Sequence, residues 1–145
     1  MRDKLTADKV GYWPQIVDIQ YQIATAWQLY AEGKYDDALK AMSAAADAED
    51  KTEKSPVTPG PLMPARELYG YMLLDRGMAK EALSAFEATM AKEPNRFNDY
   101  LGAAKAEQAL GDKAKAKAIY EKLVALAGAG DRPVLAEAKA FVVSN

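Results

Sequence analysis

The side chains in this sequence that could do chemistry are few in kind. Its 145 residues include no histidine and no cysteine. That removes Ser-His-Asp and Cys-His nucleophilic catalysis, thiol redox chemistry and Cys/His zinc sites. Carboxylates, lysine, tyrosine, serine and threonine remain. Acidic pairs stand at Asp36-Asp37 and Glu49-Asp50, but both fall in segments that read as helix, with no partner spaced for two-carboxylate hydrolysis. One polar grouping could recognise a small molecule: Arg66 and Glu67, with Thr58 in the proline-rich stretch before them and Arg96 beyond. Neither a metal site nor a cofactor site is expected, and the sequence does not read as that of an enzyme.

Charge narrows the partners further. Nineteen basic residues stand against 21 acidic ones, a formal net charge of −2, so there is no electrostatic footprint for nucleic acid and no polybasic reason to sit on a membrane. Half the residues are apolar and 28% are charged, the balance of a folded globular protein. The opening run Met1-Arg2-Asp3-Lys4-Leu5-Thr6-Ala7-Asp8-Lys9 holds no apolar signal core, and no stretch approaches the ~18 apolar residues of a membrane span. The reading is a soluble chain, cytoplasmic, or periplasmic if it is a fragment of an exported protein.

The elements that must position any such site announce themselves by repetition. Gly33, Gly77 and Gly111 are each followed five residues later by alanine (Ala38, Ala82, Ala116) and four after that by a bulky apolar residue (Met42, Phe86, Tyr120). The last two sets are in phase at 34 residues. The first two are ten further apart, and the excess is Glu53 to Leu62, whose three prolines and glycine forbid a helix. The spacing predicts seven helices and no strand: about 14–31, 35–51, 64–76, 79–92, 96–110, 113–127 and 133–143. The first could start as early as Thr6, and Asp131 is the expected cap of the last. The alanines are small because paired helices approach closely there, with Ala26, Gly70 and Ala104 facing them. The bulky residues fill the space between successive units. The final helix, through Val134, Leu135, Ala138, Phe141 and Val142, should close the end of the stack.

With its helix–turn–helix period of ~34 residues, the pattern resembles the tetratricopeptide repeat family, in units of about 19–52, 63–96 and 97–130. The resemblance implies an all-α, right-handed helical-repeat solenoid, taken here as one domain over 1–145. It also implies a concave groove lined by the first helix of each unit. Carried over position by position, the groove would present Gln20, Ile23, Trp27 and Tyr30, then Pro64, Glu67, Tyr71 and Leu74, then Asn98, Leu101, Lys105 and Gln108.

The first unit departs from the pattern. Gln22 and Thr25 hold nominal core positions, while Ile16, Ile19, Ile23, Trp27 and Tyr30 recur at helical spacing toward the groove. Such a stripe has to be covered, by a partner anchored on Trp27 and Tyr30, by a second copy, or internally by the N-terminal segment or the insertion. Members of the family that clamp an acidic tail use lysine and asparagine where this chain has Ile23 and Trp27, so a mixed apolar and polar ligand is implied instead. The stretch from Asp50 to Leu68, with Glu93-Pro94-Asn95-Arg96-Phe97, is similar to the C-terminal region of some bacterial tetratricopeptide proteins, mostly uncharacterised. Several of those carry histidine where Ser55 stands here. The leading expectation is a scaffold that holds a protein or peptide segment. The alternatives are a symmetric homodimer and a small-molecule site beside the insertion.

Overall fold

The computed structural model describes residues 12–52 and 60–145. Thr58, most of the insertion and residues 1–11 lie outside them. Among the described residues there are seven helices and no strand. They are α1 (Tyr12–Ala31), α2 (Tyr35–Asp50), α3 (Ala65–Asp75), α4 (Ala79–Lys92), α5 (Phe97–Ala109), α6 (Lys113–Ala127) and α7 (Pro133–Ser144). The all-α helix–turn–helix expectation therefore holds. No helix among the described residues is long and apolar enough to cross a membrane.

One local device builds all three helical turns. Gly33, Gly77 and Gly111 take φ of 77°, 74° and 85°, left-handed values that a Cβ makes costly. In each turn the glycine N–H donates to the carbonyl three residues back: Gly33 to Tyr30, Gly77 to Leu74 and Gly111 to Gln108, at 3.0–3.1 Å. The next N–H donates five residues back: Lys34 to Leu29, Met78 to Leu73 and Asp112 to Glu107, at 2.9–3.0 Å. This paired closure satisfies two helix-end carbonyls at once. The residue after the glycine then opens the following helix, its carbonyl accepting from Ala38, Ala82 or Ala116 at 2.9–3.0 Å. The glycine-to-alanine interval of five is thus the length of one stop and one start. Only Asp112 adds a side-chain cap, accepting from the Lys115 N–H at 3.0 Å; that bond is the first cause of its lowered pKa.

The chain divides into two compact units, one ending at Tyr69 and the other starting at Gly70, a boundary that falls inside α3. In the first unit α1 packs along α2. Ile19, Ile23, Ala26, Ala38, Met42, Ala45 and Ala46 are buried there. Ile19 and Ile23 of α1 are therefore internal, while Ile16 is half-buried. Gln22 and Thr25, the poor core residues, satisfy themselves along the helix: Gln22 Nε2 donates to Asp18 Oδ2 at 2.7 Å and Thr25 Oγ1 to the Tyr21 carbonyl at 2.9 Å.

In the second unit α4 packs on α5, α5 on α6 and α6 on α7. Phe86 is fully buried and its ring fills the space left by two glycines. A Cβ built on Gly70 would lie 2.8 Å from the ring, and one on Gly102 2.3 Å from it. Tyr71 adds an edge-on contact at 5.0 Å between ring centroids. Around Tyr120 and Leu123 of α6 gather Leu101 and Ala104 of α5 and Ala138 of α7, with Val134, Phe141 and Val142 packed against them. The last helix thus closes the apolar end of α6, as its sequence pattern expects. Its N-cap is Arg132 rather than Asp131, with no side-chain cap; Pro133 in the first turn has no N–H to satisfy.

Candidate functional site

The first unit supplies an aromatic group on α1. Trp27 is 41% exposed and meets Tyr30 edge-on at 5.9 Å. Tyr30 in turn meets Tyr35 at 5.0 Å. The cause is spacing: Trp27 and Tyr30 stand three apart on one helix, and the Gly33 turn brings the start of α2 back beside them. Ile23, also expected here, is buried at 8% exposure.

The Arg66 and Glu67 grouping proves to be a clasp at the start of α3. Glu49 Oε2 accepts from the Ala65 N–H at 2.6 Å, capping the helix from 16 residues upstream. Arg66 donates through Nε to Asp50 and through Nη2 to Asp47, both at 2.5 Å. Partial burial opposes the guanidinium charge, but the two carboxylates outweigh it and the pKa is raised. Glu67 is fully buried. Three acids at the end of α2 thus hold the beginning of α3 across the insertion.

In the second unit Arg96 plays a comparable part, with Nη1 3.2 Å from Glu93 and Nε 3.7 Å from the fully buried Asp99. Arg66 and Arg96 therefore each serve carboxylates of their own unit. Tyr71 is half-buried and donates to the Asn98 carbonyl at 2.7 Å. Leu74 is half-buried, Leu101 lies in the α5–α6–α7 core, and Lys105 is exposed.

Lys105 and Gln108 line a cleft of about 530 Å³ with Ala109, Tyr120, Glu137 and Phe141. Tyr120 donates to Gln108 Oε1 at 3.3 Å and its ring lies 5.1 Å from that of Phe141. Burial first, and then the Glu137 carboxylate, push the Tyr120 phenol up. The cleft exists because α7 stands beside α5 as another first helix would. Leu135 and Ala138 follow Leu101 and Ala104 by 34 residues, and all four are buried. Glu137 and Phe141 were not assigned to any site by sequence reasoning, although this phase could have found them.

No known family description matches the sequence, and no curated protein matches it. Solved structures do. The fold is similar to PcrH from Pseudomonas aeruginosa, with a TM-score of 0.68 and 21% identity over 88% of this chain and 90% of that one. It is similar to PcrH in complex with the chaperone binding region of PopB, TM-score 0.66, 21% identity, over 86% and 94% of the two chains. The PcrH complex with the corresponding region of PopD gives 0.68 at 21% identity, over 88% and 90%. A TPR-like protein from Chlorobium tepidum gives 0.63 at 16% identity, over 92% and 97%. At such identities the likeness speaks for architecture. Together with the three repeated turns, it establishes that this chain has the tetratricopeptide-repeat type of all-α fold.

Proposed function

We propose that this protein is a non-catalytic module that holds a peptide or protein segment of another chain. The observation that carries the reading is Trp27, a large aromatic side chain left 41% exposed, with Tyr30 edge-on beside it; the family resemblance assigns both to the groove. Aromatic anchors of this kind dominate binding energy at protein interfaces. The solved PcrH complexes support it by analogy, since in them a fold of this type holds segments of PopB and PopD. In the first unit Trp27 and Tyr30 are the anchors, with Gln20 polar beside them. The segment is accordingly mixed apolar and polar.

A display library of random peptides, selected on the whole chain, tests this. Selected peptides should bind wild type and lose at least tenfold in affinity on Trp27→Ala, with far-UV circular dichroism unchanged. Peptides that bind both forms equally, or a selection that yields none, refute the reading. If Trp27→Ala unfolds the protein, Trp27 is a core residue and the anchor is lost.

A further inference from the structure

Ile19 and Ile23 of α1 face inward, and a second apolar seam lies on the outer side of the helix. Trp13, Val17, Gln20, Ala24, Trp27 and Ala31 follow one another at intervals of four, three, four, three and four, the spacing of residues that meet a facing helix. The seam spans ~27 Å of helix. Val17 is half-buried and the other five are exposed, Trp13 at 45% and Trp27 at 41%, with Tyr21 beside the seam at 62%.

We propose that this face is a self-association surface, on which two copies of the chain pair their α1 helices antiparallel about a two-fold axis midway between Gln20 and Ala24. The residue sizes select this partner and this direction. In that register Trp13 lies opposite Ala31, Trp27 opposite Val17, and Gln20 opposite Ala24, so each tryptophan meets a smaller residue and each polar amide meets a methyl group. In a parallel pair in register, tryptophan would oppose tryptophan and alanine alanine, leaving clashes and gaps in turn. Charge places no obstacle: Asp18 is the one charged residue between Tyr12 and Ala31. It lies off the seam and accepts from Gln22. With a whole aromatic side chain worth about 150–250 Å², the uncovered parts of Trp13, Tyr21 and Trp27 come to on the order of 300 Å² per chain. Two such faces with their smaller neighbours bury roughly 1,000 Å², the size of a transient interface. The association should be reversible, with half-dissociation in the micromolar range.

Gln20 and Trp27 belong both to this seam and to the segment-binding edge, so Trp13, at the far end of the seam, separates the two readings. Sedimentation of the whole chain from a few to a few hundred micromolar should show a monomer–dimer equilibrium. Ala24→Glu, which places a carboxylate on each helix at the seam, should abolish it with the helix signal retained, and Trp13→Glu should do the same with peptide capture unaffected. Because the chain has no native cysteine, a mixture of Gln20→Cys and Ala24→Cys chains should form interchain disulfides several-fold faster than either variant alone. A wild type that stays monomeric throughout overturns the proposal. So does undiminished association of Ala24→Glu. Faster disulfide formation by Ala24→Cys alone overturns the antiparallel arrangement.

Discussion

Gly102→Ala sets two familiar effects against each other at a place where the structure decides between them. In a helix interior the change should stabilise by about 0.5–1 kcal/mol, because alanine loses less backbone entropy on folding. Here the new methyl carbon would lie 2.3, 2.5 and 2.6 Å from three atoms of the Phe86 ring. Carbon atoms rest at about 3.5–4.0 Å, so the ring or the helix must move by more than about 1 Å. The ring cannot yield easily. It is fully buried, Gly70 backs it with its own Cβ direction 2.8 Å away, and Tyr71 abuts it. Overpacking of this kind costs about 1–3 kcal/mol. It outweighs the propensity gain, leaving a net loss of about 1–2 kcal/mol and a Tm lowered by about 3–8 °C. Thermal and urea denaturation followed by circular dichroism measure both. Gly70→Ala, with its milder approach, should fall between Gly102→Ala and wild type. Phe86→Leu should recover much of the Gly102→Ala loss, so that the double variant is more stable than the sum of the single effects by about 1 kcal/mol. A Gly102→Ala protein as stable as wild type, or more so, would refute the reasoning. Helix propensity would then have won, and the ring would not be held between the two glycines.

Two further perturbations test the clasp and the cleft. Arg66→Met should cost about 0.5–1 kcal/mol, the scale of a partly exposed ion pair, and the difference from wild type should shrink in 1 M salt; a loss that does not respond to salt would point to packing instead. The Tyr120 phenol, raised in the folded state by burial and by Glu137, contributes stability that is fully present below its unfolded pKa of about 10 and is lost as pH rises through the folded value. Tyr120→Phe removes that share of the alkaline loss, so its deficit relative to wild type should be smaller at pH 11 than at pH 8 in urea titrations. An equal deficit at both would contradict the shift.

The repeat was legible because its signals are local. A glycine with positive φ, a carbonyl closure and a helix start occupy ten consecutive residues, and the same constraint recurs at Gly33, Gly77 and Gly111. The face of α1 was not legible. Apolar side chains lie over most of its circumference, so periodicity offered Ile19 and Ile23 to the groove as readily as to the core. The burial of Ile19 and Ile23 in the folded unit decided the matter and left the Trp13–Ala31 seam outside. Arg66 and Glu67 read as a recognition cluster because no sequence rule shows that Asp47, Glu49 and Asp50 return to meet Ala65 and Arg66 across the insertion.

What the sequence determined by itself was the fold type, the turns, the close approaches at alanine and the absence of imidazole and thiol chemistry, all consequences of which residues are present and how they are spaced. Tertiary structure alone decided which polar groups were already engaged, which aromatic rings stayed exposed, and that Gly102 is required by a ring 16 residues earlier in the chain. Those properties depend on contacts between segments distant in sequence, and burial belongs to a neighbourhood rather than to a residue.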